Sequence, residues 1–247
     1  MKIHHFLFIA TAILCSCNQA PHKLTAIECG NIKVTEPGNK AGAENIKAIL
    51  DKYKPTIEQV KAPVIGTSQT ELTSYLPESP LMNFAADAIF KIAQREQKTD
   101  LALTNKGGLR NTLPKGELTF GDIYNVFPFE NRLTFLTLNG TQLMQLFGDI
   151  AKVGGEAISG ARLTISADGK LIDATVGGKA VNPEQNYRIA TLDYLAEGND
   201  KLYTLAKGSD VQITDLALRD LIIQYIAELH SKGESINATL DGRITIK

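Results

Sequence analysis

Asn105, Gly107, Gly108 and Arg110 follow directly on an apolar run, Leu101–Leu103, that reads as a short buried strand. Paired glycines after a strand let backbone amides come close to a ligand, because no Cβ intervenes. An amide and a guanidinium fork at such a rim suit an anion such as phosphate. The alternative is a plain glycine turn with a solvated arginine. Further on, Pro128 stiffens the approach to Phe129, so that this ring stands at a loop tip. Tyr194 is a second aromatic, at a strand end before the loop Gly198-Asn199-Asp200. Two rings at loop tips can hold a flat base between them, and such stacking contributes roughly 1–3 kcal/mol per base. The competing reading puts both rings in the core, the commoner fate of phenylalanine.

These residues need rigid elements behind them. The spacing predicts a helix over Ala43–Lys61, with Ile46, Ile49, Leu50, Tyr53, Ile57 and Val60 on one face and a kink or fresh turn at Pro55. A strand within Val64–Thr73 comes next. Ser79 as N-cap and Pro80 at the first helical position start a second helix that runs to about Gln97. Leu118–Phe120 is strand-like, with a short segment over Asp122–Asn125. Thr134–Leu138 is a strand, and Thr141 caps a helix over Gln142–Ala151. Ala161–Ser166 and Leu171–Val176 form a hairpin, and Gly177-Gly178 is a turn. Tyr187–Thr191 is a buried strand that delivers Asp193 and Tyr194. Thr214 caps a last amphipathic helix to Ser231, and Arg243–Ile246 is a last strand. The expected class is α+β, a mixed sheet with packed helices, preceded by a linker helix.

The bulk properties narrow the chemistry. The chain has 247 residues, 43% of them hydrophobic, and a net charge of −1. That composition is globular, and the charge excludes general affinity for a nucleic-acid backbone. It holds four histidines, His4, His5, His22 and His230. A dinuclear phosphoesterase centre needs several His and Asp ligands at set spacings, and no such motif occurs. No metal site and no cofactor are therefore expected on this chain. At the N-terminus Lys2 precedes the apolar run Phe6–Leu14, which is too short to span a bilayer. It ends in Leu14-Cys15-Ser16-Cys17, which resembles a bacterial lipobox with Cys17 lipidated after cleavage. The alternative is an ordinary secretory signal. The lipobox reading leaves Cys29 as the remaining thiol and puts the chain at the bacterial cell envelope, lipid-anchored, either periplasmic or on the surface. The organisation is then a signal peptide over 1–17, a tether over 18–41 with a short strand at Ile32–Val34, a linker helix over 42–62 and one domain over 63–247.

Five places, in order, resemble the C-terminal, substrate-specificity domain of the 5′-nucleotidase family. They are Asn83–Ala88, Thr104–Arg110, Gly121–Asn131, Tyr187–Ala196 and the terminal Gly242-Arg243-Ile244. The resemblance implies a ring pair at Phe129 and Tyr194 clamping a nucleoside. It implies base or ribose contact by Asn105, phosphate contact by Arg110, ribose contact by Asp200, and close backbone approach at Gly107 and Gly108. Arg95 falls where some members carry a second phosphate-contacting arginine, although a solvated helix end explains it as well. Two departures stand out: the family's Gly-Gly-Asp-Gly loop is Gly198-Asn199-Asp200-Lys201, and Lys106 replaces the first of three glycines. The expectation is the nucleotide- or nucleoside-recognition half of a split 5′-nucleotidase in nucleotide catabolism. Divalent metals would sit on a partner metallophosphoesterase chain. The alternatives are a non-catalytic nucleotide-scavenging lipoprotein and a specificity subunit for cyclic nucleotides or nucleotide sugars.

Overall fold

The computed structural model describes residues 24–27, 29–30 and 40–247. The signal peptide, Cys17, most of the tether and the strand expected at Ile32–Val34 lie outside them. The contacts divide the chain into Met1–Leu50 and a compact body, Asp51–Lys247. The boundary falls inside the first helix, α1 (Lys40–Lys61), which runs without interruption past Pro55.

The body is built on three sheets. β1 (Val64–Ser68) pairs antiparallel with β3 (Gly116–Thr119). The main sheet has five strands in the order β10-β4-β9-β2-β5. These are β2 (Leu101–Thr104), β4 (Arg132–Asn139), β5 (Ala157–Ser159), β9 (Asn186–Leu192) and β10 (Ser209–Ala217). β2 and β9 run parallel, and the other neighbours run antiparallel. A smaller sheet holds β6 (Ala161–Ile165), β7 (Leu171–Val176), β8 (Lys179–Ala180) and β11 (Ile244–Ile246), with β11 parallel to β6. The class is mixed α and β with mixed sheets.

β2 is buried at every position because helix α2 (Pro80–Glu96) covers it, and α2 also covers β5. Ser79 caps α2 by accepting the Met82 amide, and Pro80 opens it. Leu81, Phe84, Ala85, Ala88, Ile89, Ile92 and Ala93 pack inward as their spacing demands. A short helix α3 (Phe120–Val126) follows β3 through a capping box of Thr119 and Asp122. Helix α4 (Gly140–Lys152) is capped by Asn139, with Gln142 reaching back, rather than by Thr141. The strand β4 simply ends at Asn139, whose side chain accepts the Gln142 amide. Thr214 caps no helix. It lies within β10, donates to the Leu133 carbonyl at 2.8 Å, and helix α6 starts later, at Leu218–Ser231. A single turn of helix, α5 (Asp193–Ala196), leaves the end of β9.

Two of the five sequence motifs are explained by packing alone. Asn83 donates to the carboxylate of Glu78 at 2.7 Å and to the Thr239 carbonyl at 2.9 Å. Asp87 accepts Arg243 at 2.8 and 3.1 Å and Ser159 at 2.6 Å. Arg243 also donates to Asp241 and to the Ile158 carbonyl. Burial alone lowers the pKa of Arg243, but its bonds to Asp87 and Asp241 outweigh that and raise it, so the cation is firmly held. These bonds latch the C-terminal segment to α2 and β5.

Candidate functional site

The C-terminal ends of β2 and β9 lie side by side, because these two strands are parallel neighbours. The segments that leave the two strands therefore meet in space. After β2 the chain makes a short 3-10 turn, Lys106–Gly108. After β9 it makes α5 and a loop in which Gly198, Asp200 and Lys201 take positive φ of 85°, 54° and 66°. The loop Phe127–Asn131, between α3 and β4, closes the third side.

Asn105, Gly107, Gly108, Arg110, Phe129, Asn131, Tyr194 and Asp200 line one cavity of about 280 Å³. That is near the lower end of ligand pockets, roughly 300–1,000 Å³, so a bound base would leave the rest of its molecule toward solvent. Phe129 and Tyr194 are 47% and 41% exposed, so neither ring belongs to the core. The Arg110 guanidinium sits over the Phe129 ring, 5.9 Å from its centroid, and donates to the Gly107 carbonyl at 3.2 Å.

Asp200 organises the polar side. One carboxylate oxygen accepts the Tyr194 hydroxyl at 2.8 Å, and the other accepts the Asn105 amide nitrogen. The bond to Asp200 raises the Tyr194 pKa, so this phenol stays protonated and donating. Asn105 is buried, and its Oδ1 has no hydrogen-bond partner among the described residues. A Cβ at Gly108 would lie 2.8 Å from that oxygen, and one at Gly107 would lie 3.4 Å from Asp200. Glycine at 108 thus keeps the amide in place, beyond any freedom it gives the turn.

Behind the turn lies a residue that sequence reasoning missed. Glu156, only 8% exposed, accepts the Lys106 backbone amide. Burial pushes its pKa up to about 7; the Lys106 amide opposes the rise and the nearby charge of Asp200 adds to it. An acid after Gly154-Gly155 carries no sign of burial in sequence. Asn131 was also missed as a lining residue, although it closes the Phe127–Asn131 motif.

Arg95 is not brought to this cluster. Its guanidinium makes two bonds to Glu228 on α6, at 2.9 and 2.7 Å, and lies over Tyr225. It joins two helices and does not line the cavity. Among the described residues no group of three or more His, Cys, Asp or Glu gathers as a metal cage.

Comparison with known proteins gives this arrangement a family. The 5′-nucleotidase, C-terminal domain family matches residues 59–208. The chain belongs to that family. It is 31% identical over 211 residues to the endonuclease YhcR of Bacillus subtilis, covering 81% of this chain and 16% of that protein. It is 29% identical over 218 residues to the trifunctional nucleotide phosphoesterase protein YfkN of the same organism, covering 80% and 15%. The crystal structure of a 5′-nucleotidase precursor from Thermus thermophilus superposes with a TM-score of 0.69 at 25% identity, over 83% of this chain and 43% of that one. The chain thus spans less than half the length of each of these relatives. What it carries is the 5′-nucleotidase C-terminal, substrate-binding domain.

Proposed function

We propose that this 5′-nucleotidase C-terminal domain is the nucleotide- or nucleoside-recognition half of a split phosphohydrolase in nucleotide catabolism. One observation carries the reading: two exposed rings, Phe129 and Tyr194, share a cavity with Asn105, Asn131, Asp200 and Arg110. The rings supply stacking faces for a base. Arg110, exposed beside Phe129, is the donor placed for a phosphate. Because Asn105 and Tyr194 already occupy both oxygens of Asp200, its first role is to fix those two side chains. A ribose hydroxyl would be a third contact.

Phosphate ester hydrolysis needs charge neutralisation at nucleophile and leaving group, normally by metal ions. In this reading a separate metallophosphoesterase chain holds the divalent metals. An apolar face supports such a partner: Tyr53, Ile57 and Val60 of α1 are 55%, 51% and 58% exposed. Lipidation of Cys17 would hold the chain at the bacterial cell envelope, where such a partner would have to meet it.

Calorimetric titration of the purified chain with adenosine, AMP and inorganic phosphate tests the reading. Binding of adenosine and AMP without hydrolysis in added Mn²⁺ is expected, and robust metal-dependent turnover by this chain alone contradicts it. A nucleotide-scavenging lipoprotein is the second reading, favoured by the site being assembled within one chain. Co-purification of a metallophosphoesterase decides between the two. Tighter binding of a cyclic nucleotide or a nucleotide sugar than of AMP would redirect the substrate class.

A further inference from the structure

We propose that Arg219 is a positioning residue that sets Phe129 at the cavity. It does not touch the cavity itself. The expected effect on affinity rests on the proposed nucleoside site, whereas the effect on the loop does not.

Arg219 lies in the first turn of α6, and its side chain is 6% exposed. The guanidinium stacks on the Tyr124 ring, its carbon 3.8 Å from the ring centroid. From there Nη1 donates to two successive loop carbonyls, Phe127 at 3.4 Å and Pro128 at 3.2 Å, and Nη2 reaches Glu130 at 3.4 Å. The bonds are long one by one, but together they draw both carbonyls before Phe129 inward. The ends of the same loop are fixed by backbone bonds: Arg110 N donates to the Val126 carbonyl at 2.9 Å, and Leu218 N donates to the Asn131 carbonyl at 2.8 Å.

The loop therefore has two anchored ends and one anchored middle. Neither Phe127 nor Pro128 lies in a strand, so their carbonyls need a donor from elsewhere. A planar fork stacked on a ring can serve both at once, whereas an ammonium serves as a point charge. With the two carbonyls held inward, the next side chain, Phe129, faces the cavity that it lines. Glu130 adds little, since its side chain is 84% exposed. One guanidinium donor, Nε, stays buried without a partner among the described residues.

The test uses R219Q and the milder R219K, alone and combined with F129A, in the full chain. Two readouts are taken well below the melting temperature. The first is the rate of chymotryptic cleavage after Phe129, which needs no ligand. R219Q should be cut roughly tenfold faster than wild type, with R219K between them, as expected when a loop opens locally. The second is adenosine affinity by calorimetry. R219Q should bind roughly tenfold more weakly, and R219Q/F129A should bind no more weakly than F129A alone, because the arginine acts through that ring. Unchanged cleavage in both Arg219 variants overturns the proposal. So does a loss on R219Q that adds in full to the loss on F129A. If wild type binds no nucleoside, the proposed function falls, and the cleavage rates still decide whether Arg219 positions the loop.

Discussion

Two polar clusters in the body of this domain are built from the same kinds of residue and end in opposite states. The latch of Glu78, Asn83, Asp87, Asp241 and Arg243 turns inward: carboxylates, amide and guanidinium find one another or a backbone carbonyl. The cavity cluster of Asn105, Asp200 and Tyr194 also bonds internally, but it leaves two rings and a guanidinium exposed and a buried amide oxygen without a partner among the described residues. Buried polar groups are nearly always satisfied, so an orphan acceptor in a lined cavity calls for an explanation. The closed cluster ties the C-terminal segment to α2 and β5, and the open one borders a cavity. Both come from sequence motifs, so motif membership alone does not separate site from scaffold.

The largest effect should come from breaking the closed cluster. R243M leaves Asp87 without its cation and Asp241 with Arg162 alone, 3.7 Å away. Breaking a buried pair costs about 3–5 kcal/mol, and the partial exposure of both acids puts this case at the lower end. The melting temperature should fall by roughly 5–10 °C, while adenosine affinity of the folded protein stays put. An affinity loss as large as the stability loss would erase the contrast between the clusters. The opposite pattern belongs to F129A and Y194A. Each should lose roughly 10–100-fold in nucleoside affinity, as stacking energies imply, with little change in melting temperature because the rings are exposed. If neither weakens binding, the clamp is wrong.

A subtler contrast concerns Glu156, which lies behind the open cluster. In the folded chain its carboxyl holds a proton up to about pH 7, against an ordinary value of 4.5. Below the ordinary value both folded and unfolded chains are protonated there, and its contribution to stability is fully present. As pH rises toward 7 the unfolded chain releases its proton first, so stability falls, and the decline is complete above the folded value. E156Q keeps an acceptor for the Lys106 amide and has no proton to lose. Its stability relative to wild type should rise by about 2–3 kcal/mol between pH 5 and pH 8, read by urea unfolding. A flat difference would mean that the carboxyl ionises freely and is not sealed behind the turn.

The sequence showed the ring pair, the glycine turn and the helix start at Ser79-Pro80 because each is local: a residue type, a neighbour and a spacing. The parallel meeting of β2 and β9 was not legible, because it joins segments far apart in the chain and no local pattern marks it. Other features were not legible, for physical reasons. β10 is exposed along most of its length and bulged against β4, so it lacks the alternation that marks a strand, and Thr214 passed for a helix cap. Arg95 and Arg219 look alike in sequence, both near the ends of amphipathic helices. Their partners, Glu228 and the Phe127–Pro128 carbonyls, are distant in the chain, so only the fold tells a helix tie from a loop anchor.

The smallest effect tests how the open cluster holds itself. Tyr194 contributes both a ring and a hydroxyl, and the hydroxyl donates to Asp200. Y194F keeps the stacking face and removes that donor. An exposed hydrogen bond contributes little on balance, so affinity should drop roughly two- to fivefold. The freed Asp200 oxygen would then be open to a ribose hydroxyl. Comparing adenosine with 2′-deoxyadenosine reads this directly: the ribose preference should be larger in Y194F than in wild type. An unchanged preference would mean that the carboxylate faces its own chain only, making Asp200 scaffold in the same sense as Asp87 and moving the border between the two clusters inward to the rings and Arg110.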